Sequence, residues 1–257
     1  MIILKLGGSL ITDKSKQFAV REDVLERLAE EIKESSKEEL IIVHGGGSFG
    51  HPIASKYNLQ EGFKNKEQID GVVETRRAMN ELSRSVINAF HEHKLPVVAI
   101  QPSANITCKA GRIDDIDTGV IKKFLELGTI PVLFGDVVLD KELGFCILSG
   151  DQIVTFLAEN FKADKVILAA DVDGVYDKNP QKFDGAKLIT EIKSTDDGIL
   201  DTLKTRDGDV TGGIKGKIEE LVLLAKKGVP SQVINAMEPG RLKKALRGEE
   251  VIGTVVR

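Results

Sequence analysis

Cysteine is scarce in this chain: Cys108 and Cys146 are the only two among 257 residues. They match no metal-ligand spacing and point to a reducing compartment, so a cytoplasmic protein is expected. Basic charge is not in surplus either. The 36 Lys and Arg against 40 Asp and Glu leave a net charge of −4. That balance argues against a broad nucleic-acid or other polyanion surface, so any phosphate binding must be local. No apolar run approaches the roughly 20 residues of a membrane span. Met1 leads straight into Ile2-Ile3-Leu4, without the basic stretch and cleavage site of a signal peptide. Repeats and low-complexity segments are missing too. What remains is 41% hydrophobic and 30% charged residues. That suffices for a substantial core, in one large or two smaller domains. Charge runs such as Glu30-Glu31 and Lys33-Glu34 fit solvated helix faces.

Glycine, by contrast, is concentrated. The apolar run Leu40-Ile41-Ile42-Val43 reads as a buried strand, and it opens into His44-Gly45-Gly46-Gly47-Ser48-Phe49-Gly50-His51. Successive glycines leave backbone N–H groups uncovered, able to close on a phosphate beside a helix N-terminus. Two templates fit in part. Gly45, Gly47 and Gly50 satisfy the dinucleotide fingerprint, but Asp70, at the spacing of its acidic residue, sits in a helical pattern rather than after a strand. Gly45 and Gly50 also fit a P-loop, but His51 and Pro52 stand where Lys and a hydroxyl are required. A phosphate cradle with a histidine at its rim is left, against the plainer alternative of a tight turn.

A second cradle candidate follows the strand Ile2 to Leu6, at Gly7-Gly8-Ser9, with Lys5 inside the strand. An ammonium there is expensive unless it is paired or at the strand mouth; a snorkelling stem is the alternative. Helical periodicity marks Arg21 to Ser35 and Glu67 to His93. The latter's apolar stripe, from Ile69 through Val73 and Met79 to Phe90, is divided between core and a pocket near the cradle. Further strands are expected at Pro96 to Ile100, Ile130 to Phe134, Lys165 to Ala169, Gln232 to Asn235 and Thr254 to Val256. A hairpin is expected around Asp140 to Gly144. Helices are expected at Thr118 to Leu127, Gln152 to Phe161 with Gly150 or Asp151 as cap, Ile218 to Lys227, and Leu242 to Leu246. Asp184 to Gly208 reads as a polar excursion. The D-x-D-G of Asp171 to Gly174 lacks the closing Glu of a calcium loop, since Lys182 stands there. Asp209 to Lys217 forms a third glycine and lysine loop ahead of a helix, suited to nucleotide phosphates. Strands alternating with helices predict an α/β sandwich with a largely parallel sheet, its sites at the strands' carboxyl ends.

Taken in order, Lys5-Leu6-Gly7-Gly8-Ser9, the His-Gly-Gly-Gly stretch, Gly135-Asp136, Ser149-Gly150-Asp151, Asp171 to Tyr176 and Asp209 to Gly213 resemble the amino acid kinase superfamily. His44 to Pro52 together with Gln101-Pro102-Ser103 is similar, within it, to the archaeal-type isopentenyl phosphate kinase family. The resemblance implies a three-layer αβα sandwich. A lobe of about residues 1–163 would take the phosphate acceptor, and one of about 164–257 the nucleotide. It implies ATP as co-substrate with Mg²⁺, an acceptor such as isopentenyl or dimethylallyl phosphate, a homodimer, and no dedicated metal ligands. Lys5, Leu6, Gly7, Gly8 and Ser9 would hold the transferred phosphoryl group, and Lys14 would stabilise the transition state. Gly46, Gly50, His51 and Gly150 would hold the acceptor phosphate. Gly47, Asp171, Tyr176, Gly212, Gly213, Lys215 and Lys217 would face the nucleotide. Three other readings stay open: a fosfomycin-type phosphonate kinase, a non-catalytic nucleotide sensor, and a dinucleotide-binding oxidoreductase disfavoured by the missing acidic residue.

Overall fold

A computed structural model of the protein describes residues 1–36, 39–178, 180, 183–195 and 213–257, with backbone alone at 213–215. The strands are β1 (Ile2–Leu6), β2 (Leu40–His44), β3 (Val97–Ala99), β4 (Ile106–Lys109), β5 (Arg112–Ile116), β6 (Ile130–Phe134), β7 (Asp136–Asp140), β8 (Gly144–Leu148), β9 (Lys165–Ala170), β10 (Val175–Tyr176), β11 (Leu188–Ile189), β12 (Glu191–Ile192), β13 (Ser231–Asn235) and β14 (Gly253–Val256). The helices are α1 (Gly8–Ile11), α2 (Glu22–Ser35), α3 (Gly47–Lys56), α4 (Glu67–Glu92), α5 (Pro102–Asn105), α6 (Thr118–Glu126), α7 (Gly150–Asn160), α8 (Gly213–Lys226) and α9 (Arg241–Arg247).

Eight strands form the main sheet in the order β12-β14-β13-β9-β1-β2-β6-β3. All its pairings are parallel except β13 with β14. Every residue of β1 and β2 is buried, as the unbroken apolar runs predict. Side chains alternate across the sheet. Leu4, Leu6, Leu40 and Ile42 therefore join a core with α2, α3, α4 and α9, whereas Ile3, Ile41 and Val43 join a second core with α6, α7 and α8. This is the expected αβα sandwich.

A smaller sheet, β5-β4-β7-β8, stands beside it. The hairpin of β4 and β5 is not foreseen by the sequence reading; its signal was Ala110-Gly111 between two short branched runs. Asp140 ties its turn to the next one, accepting from the N–H groups of Ala110, Gly111, Glu142 and Leu143.

Four expectations need correction. Glu31, expected on a solvated helix face, is buried, because its carboxylate accepts from the start of α9. Helix α8 is already formed at Gly213, so Lys215 and Lys217 ride on a helix rather than in a loop before it. Ile69 and Val73 are exposed, because the buried face of α4 runs through Gln68, Gly71, Thr75, Ala78, Met79 and Leu82 instead. The cap of α7 is neither Gly150 nor Asp151: the Ser149 hydroxyl accepts from Gln152 N at 3.2 Å. Asp209, Val210, Thr211 and Gly212, with most of the polar excursion, lie outside the described residues.

Helix α9 has no side-chain cap of its own; Glu31 of α2 supplies one from across the fold. The buried Glu31 carboxylate accepts from Gly240 N at 2.9 Å, Lys243 N at 3.0 Å and Arg27 Nη1 at 2.8 Å. Glu31→Ala strands all three donors and should cost about 2–4 kcal/mol, read as a lowered urea midpoint at unchanged slope. Glu31→Gln should recover part of it.

Candidate active site

The chemistry-bearing segments gather where β1, β2, β6 and β9 end. The ladder of the parallel sheet continues into the loops. Gly7 N donates to Ala169 O at 2.8 Å, Gly45 N to Leu6 O at 2.9 Å, and Gly135 N to His44 O at 3.1 Å. The first two glycine loops lie against each other. A β-carbon on Gly8 would stand 2.3 Å from Gly47 N, nearer than any side chain tolerates. Gly47 itself adopts φ +48°, a left-handed conformation that glycine enters without strain. Gly45 and Gly47 are therefore required by backbone contact with Gly8, which a plain strand-to-helix turn does not explain.

Lys5 is buried at 5% exposure, so its charge is compensated from within. Its Nζ pairs with the carboxylate of Asp151, in the first turn of α7. Burial pulls the Lys5 pKa down, the Asp151 charge holds it up, and the charge of Lys217 pulls it down again. Gly150 backs onto the same lysine, whose Cε is 3.5 Å from where a β-carbon would be. His51, on the first turns of α3, has a pKa below the ordinary imidazole value. Burial is the main cause, followed by the positive charges of Lys14, Lys217 and Lys5. The ring is thus neutral at pH 7 and can donate one N–H. The charges of Lys14 and Lys217 are thus felt at His51, and that of Lys217 at Lys5, with Asp151 as the countercharge.

An apolar wall adjoins this charged space. The sulfur of Met79 is 3.0 Å and 2.8 Å from where β-carbons on Gly46 and Gly50 would stand. Ala54, Leu59, Val137 and Phe145 form a small cluster, with Val72 and Ile147 packed on it, between α3, α4 and the β7–β8 hairpin.

Other sequence-flagged residues sit as follows. Lys14 is exposed in a turn, and Ser9 is partly buried in α1. Leu6 points into the core, so only its backbone adjoins the site. Asp171 is exposed just past β9. The Tyr176 hydroxyl donates to Asp173 at 3.3 Å, and Asp173 also pairs with Arg241. Gln101 Nε2 donates to the buried Asp136 at 2.9 Å, pinning the turn after β3 to β7. Lys215 has no described side chain, and Gly213 is the first residue of α8. Two residues were not marked for a role at the site. Asp151 was ambiguous because a helix cap explains an acidic residue at that position equally well. Thr12 left no sequence signal at all.

His44 ends β2 fully buried, its Nδ1–H donating to Gly45 O at 3.1 Å and its ring stacked on Phe134 at 5.2 Å. Among the described residues, Nε2 has no hydrogen-bond partner. Burial lowers its pKa from 6.5 to about 4, partly opposed by the Gly45 bond. The unfolded chain therefore takes up this proton first as pH falls. The stabilisation from keeping His44 neutral is complete above pH 6.5 and is lost on descending to about pH 4. The loss amounts to about 3 kcal/mol at about 1.4 kcal/mol per pH unit. His44→Leu should flatten the acid limb by that amount in urea unfolding at stepped pH.

The family model of the amino acid kinase family matches residues 1–235, and the chain belongs to that family. Its nearer similarity is to isopentenyl phosphate kinases. The one from Methanothermobacter thermautotrophicus is 47% identical over 265 residues, covering 99% of this chain and 98% of its own. The one from Methanocaldococcus jannaschii is 39% identical, covering 100% and 98%. A solved isopentenyl phosphate kinase structure superposes with a TM-score of 0.89 at 43% identity, covering both chains in full.

Proposed function

We propose that the protein transfers the γ-phosphoryl group of ATP to the phosphate of isopentenyl phosphate, giving the diphosphate by direct in-line displacement. The single observation that carries this reading is the pair of touching glycine loops beside the buried Lys5 paired with Asp151, with an apolar wall at Met79 next to one loop. Joining two phosphates brings like charges together, so the protein's task is positioning and charge neutralisation. In this reading Gly46, Gly50, His51 and Gly150 hold the acceptor phosphate. Gly7, Gly8, Ser9 and Gly47 hold the ATP phosphates, and Lys5, Lys14 and Lys217 neutralise the group in transit. The acceptor oxygen is already anionic, so no general base is needed, and the neutral His51 serves as a hydrogen-bond donor. Met79 and the cluster around Val137 and Phe145 would take the branched hydrocarbon tail.

No group of three or more His, Cys, Asp or Glu side chains among the described residues converges on a metal position. Mg²⁺ enters the proposal only as the companion of ATP, coordinated by phosphate oxygens. Nucleotide contacts at Asp171, Tyr176, Gly212, Gly213 and Lys215, the two-lobe division near residue 163, a homodimer and a cytoplasmic address belong to the same proposal. Among the described residues, no helix is long and apolar enough to cross a membrane. A coupled ADP-release assay tests the reading across isopentenyl phosphate, dimethylallyl phosphate, fosfomycin, UMP and acetylglutamate. The expected result is highest kcat/KM with isopentenyl phosphate. Preference for fosfomycin, or no turnover with any acceptor, would overturn it.

A further inference from the structure

Thr12 is fully buried and follows directly on α1. Its hydroxyl has two partners, one on each of the touching glycine loops. It donates to Gly8 O at 2.8 Å and accepts from Ser48 N at 3.0 Å. A threonine that bonds the carbonyl four residues back is ordinary at a helix end. That accounts for Gly8 but not for Ser48, 36 residues away in the chain.

The same residue closes the loop that carries Lys14. Thr12 bridges Val20 in antiparallel fashion, Asp13 N donates to Ala19 O at 2.9 Å, and Arg21 Nε reaches Thr12 O at 3.2 Å. Phe18, at the far side of this loop, meets Phe49 of α3 edge-on at 5.5 Å. Three segments thus meet at one side chain: the loop after β1, the first turn of α3, and the base of the Lys14 loop. The three segments are in close contact there. A β-carbon on Gly47 would lie 2.0 Å from Thr12 Oγ1 and 2.6 Å from Gly8 O. Beyond the last ladder bond, Gly45 N to Leu6 O, the Thr12 hydroxyl takes over the joining of the two chains.

We infer that Thr12 is a positioning residue for phosphoryl transfer: its hydroxyl sets the separation of the two phosphate-holding loops and the point from which Lys14 enters. The inference rests on the kinase reading of the site. Each loop keeps its own N–H groups without Thr12, so binding of either phosphate should survive. The alignment of the two phosphates should not, and a displacement of about 1 Å in such a geometry can cost about 10²-fold in rate.

The test compares Thr12→Val, which keeps the shape and removes the hydroxyl, with Thr12→Ser, which keeps the hydroxyl. T12V should lower kcat at least about tenfold, leaving KM for ATP and for isopentenyl phosphate within about threefold. T12S should retain kcat within about threefold. Amide hydrogen exchange over 8–20 and 45–51 should quicken in T12V and not in T12S. The inference is overturned by T12V turning over within about twofold of the parent, by a loss confined to KM, or by T12S being as slow as T12V. If T12V does not fold, Thr12→Ala replaces it, and a T12S-to-T12A ratio in kcat below about two overturns the inference equally. Absence of turnover in the unaltered protein would fail the kinase reading alone. The exchange comparison would then decide for the clasp if protection falls only where the hydroxyl is lost, and against it if protection is unchanged.

Discussion

Lys5→Met should lower kcat by about 10³-fold or more while KM for isopentenyl phosphate stays within about threefold, as expected for a preorganised charge acting mainly in the transition state. Lys5 lies in the middle of the site, buried and paired with Asp151, with the charge of Lys217 near enough to depress its pKa. Its ammonium is thus held in place before substrates arrive, and its worth is enhanced by exclusion of water. Methionine keeps the length of the stem and discards the charge. Lys5→Arg should not rescue, because a planar guanidinium does not fit the position of a compact ammonium. Removing Lys5 also leaves the Asp151 carboxylate without its partner, so thermal unfolding must be followed alongside. The double variant Lys5→Met with Asp151→Asn should regain stability and remain inactive. A loss residing in acceptor KM would assign Lys5 to ground-state binding and remove it from the transfer step.

His51→Ala should lower kcat/KM for the acceptor by about 10²-fold, the size of one lost preorganised donor. The residue sits on α3, whose start is welded to the loop after β1, so the ring's position is decided by that contact. Burial, and then the charges of the surrounding lysines, favour its neutral form. Its titration therefore falls below 6.5, and kcat/KM should stay flat from pH 7 to 8, away from the acceptor's own ionisation near pH 6. His51→Asn, which keeps an N–H donor, should recover part of the loss. Near-parent kcat/KM for His51→Ala, or a steep fall above pH 7 that vanishes with the ring, would refute the donor assignment.

Much of the fold was legible because its signals are local. Buried parallel strands read as short branched apolar runs, and β1, β2, β6 and β9 all appeared so. Glycine clusters directly after them marked the sheet edge where ligands bind. What escaped was whatever depends on contact between distant segments. Ile69 and Val73 have helical spacing with the core residues of α4, yet their face turns outward, because packing direction is not written in spacing alone. Asp151 reads as a helix cap until β1 is laid beside α7 and Lys5 takes its charge. Glu31 looks like one more surface acid, although it caps a helix 209 residues further on.

Chain order and hydrophobic pattern by themselves determined the layered α/β class, the strand ends at which a site must form, and a set of lysines and glycines suited to phosphate. They could do so because burial and backbone freedom are properties of short windows. Only the tertiary structure decided which of those groups share a space, that Gly8 and Gly47 touch, and that Lys5 is paired and His51 neutral. Electrostatic and steric coupling depends on separation in space, and the parallel crossovers bring together segments far apart in the chain.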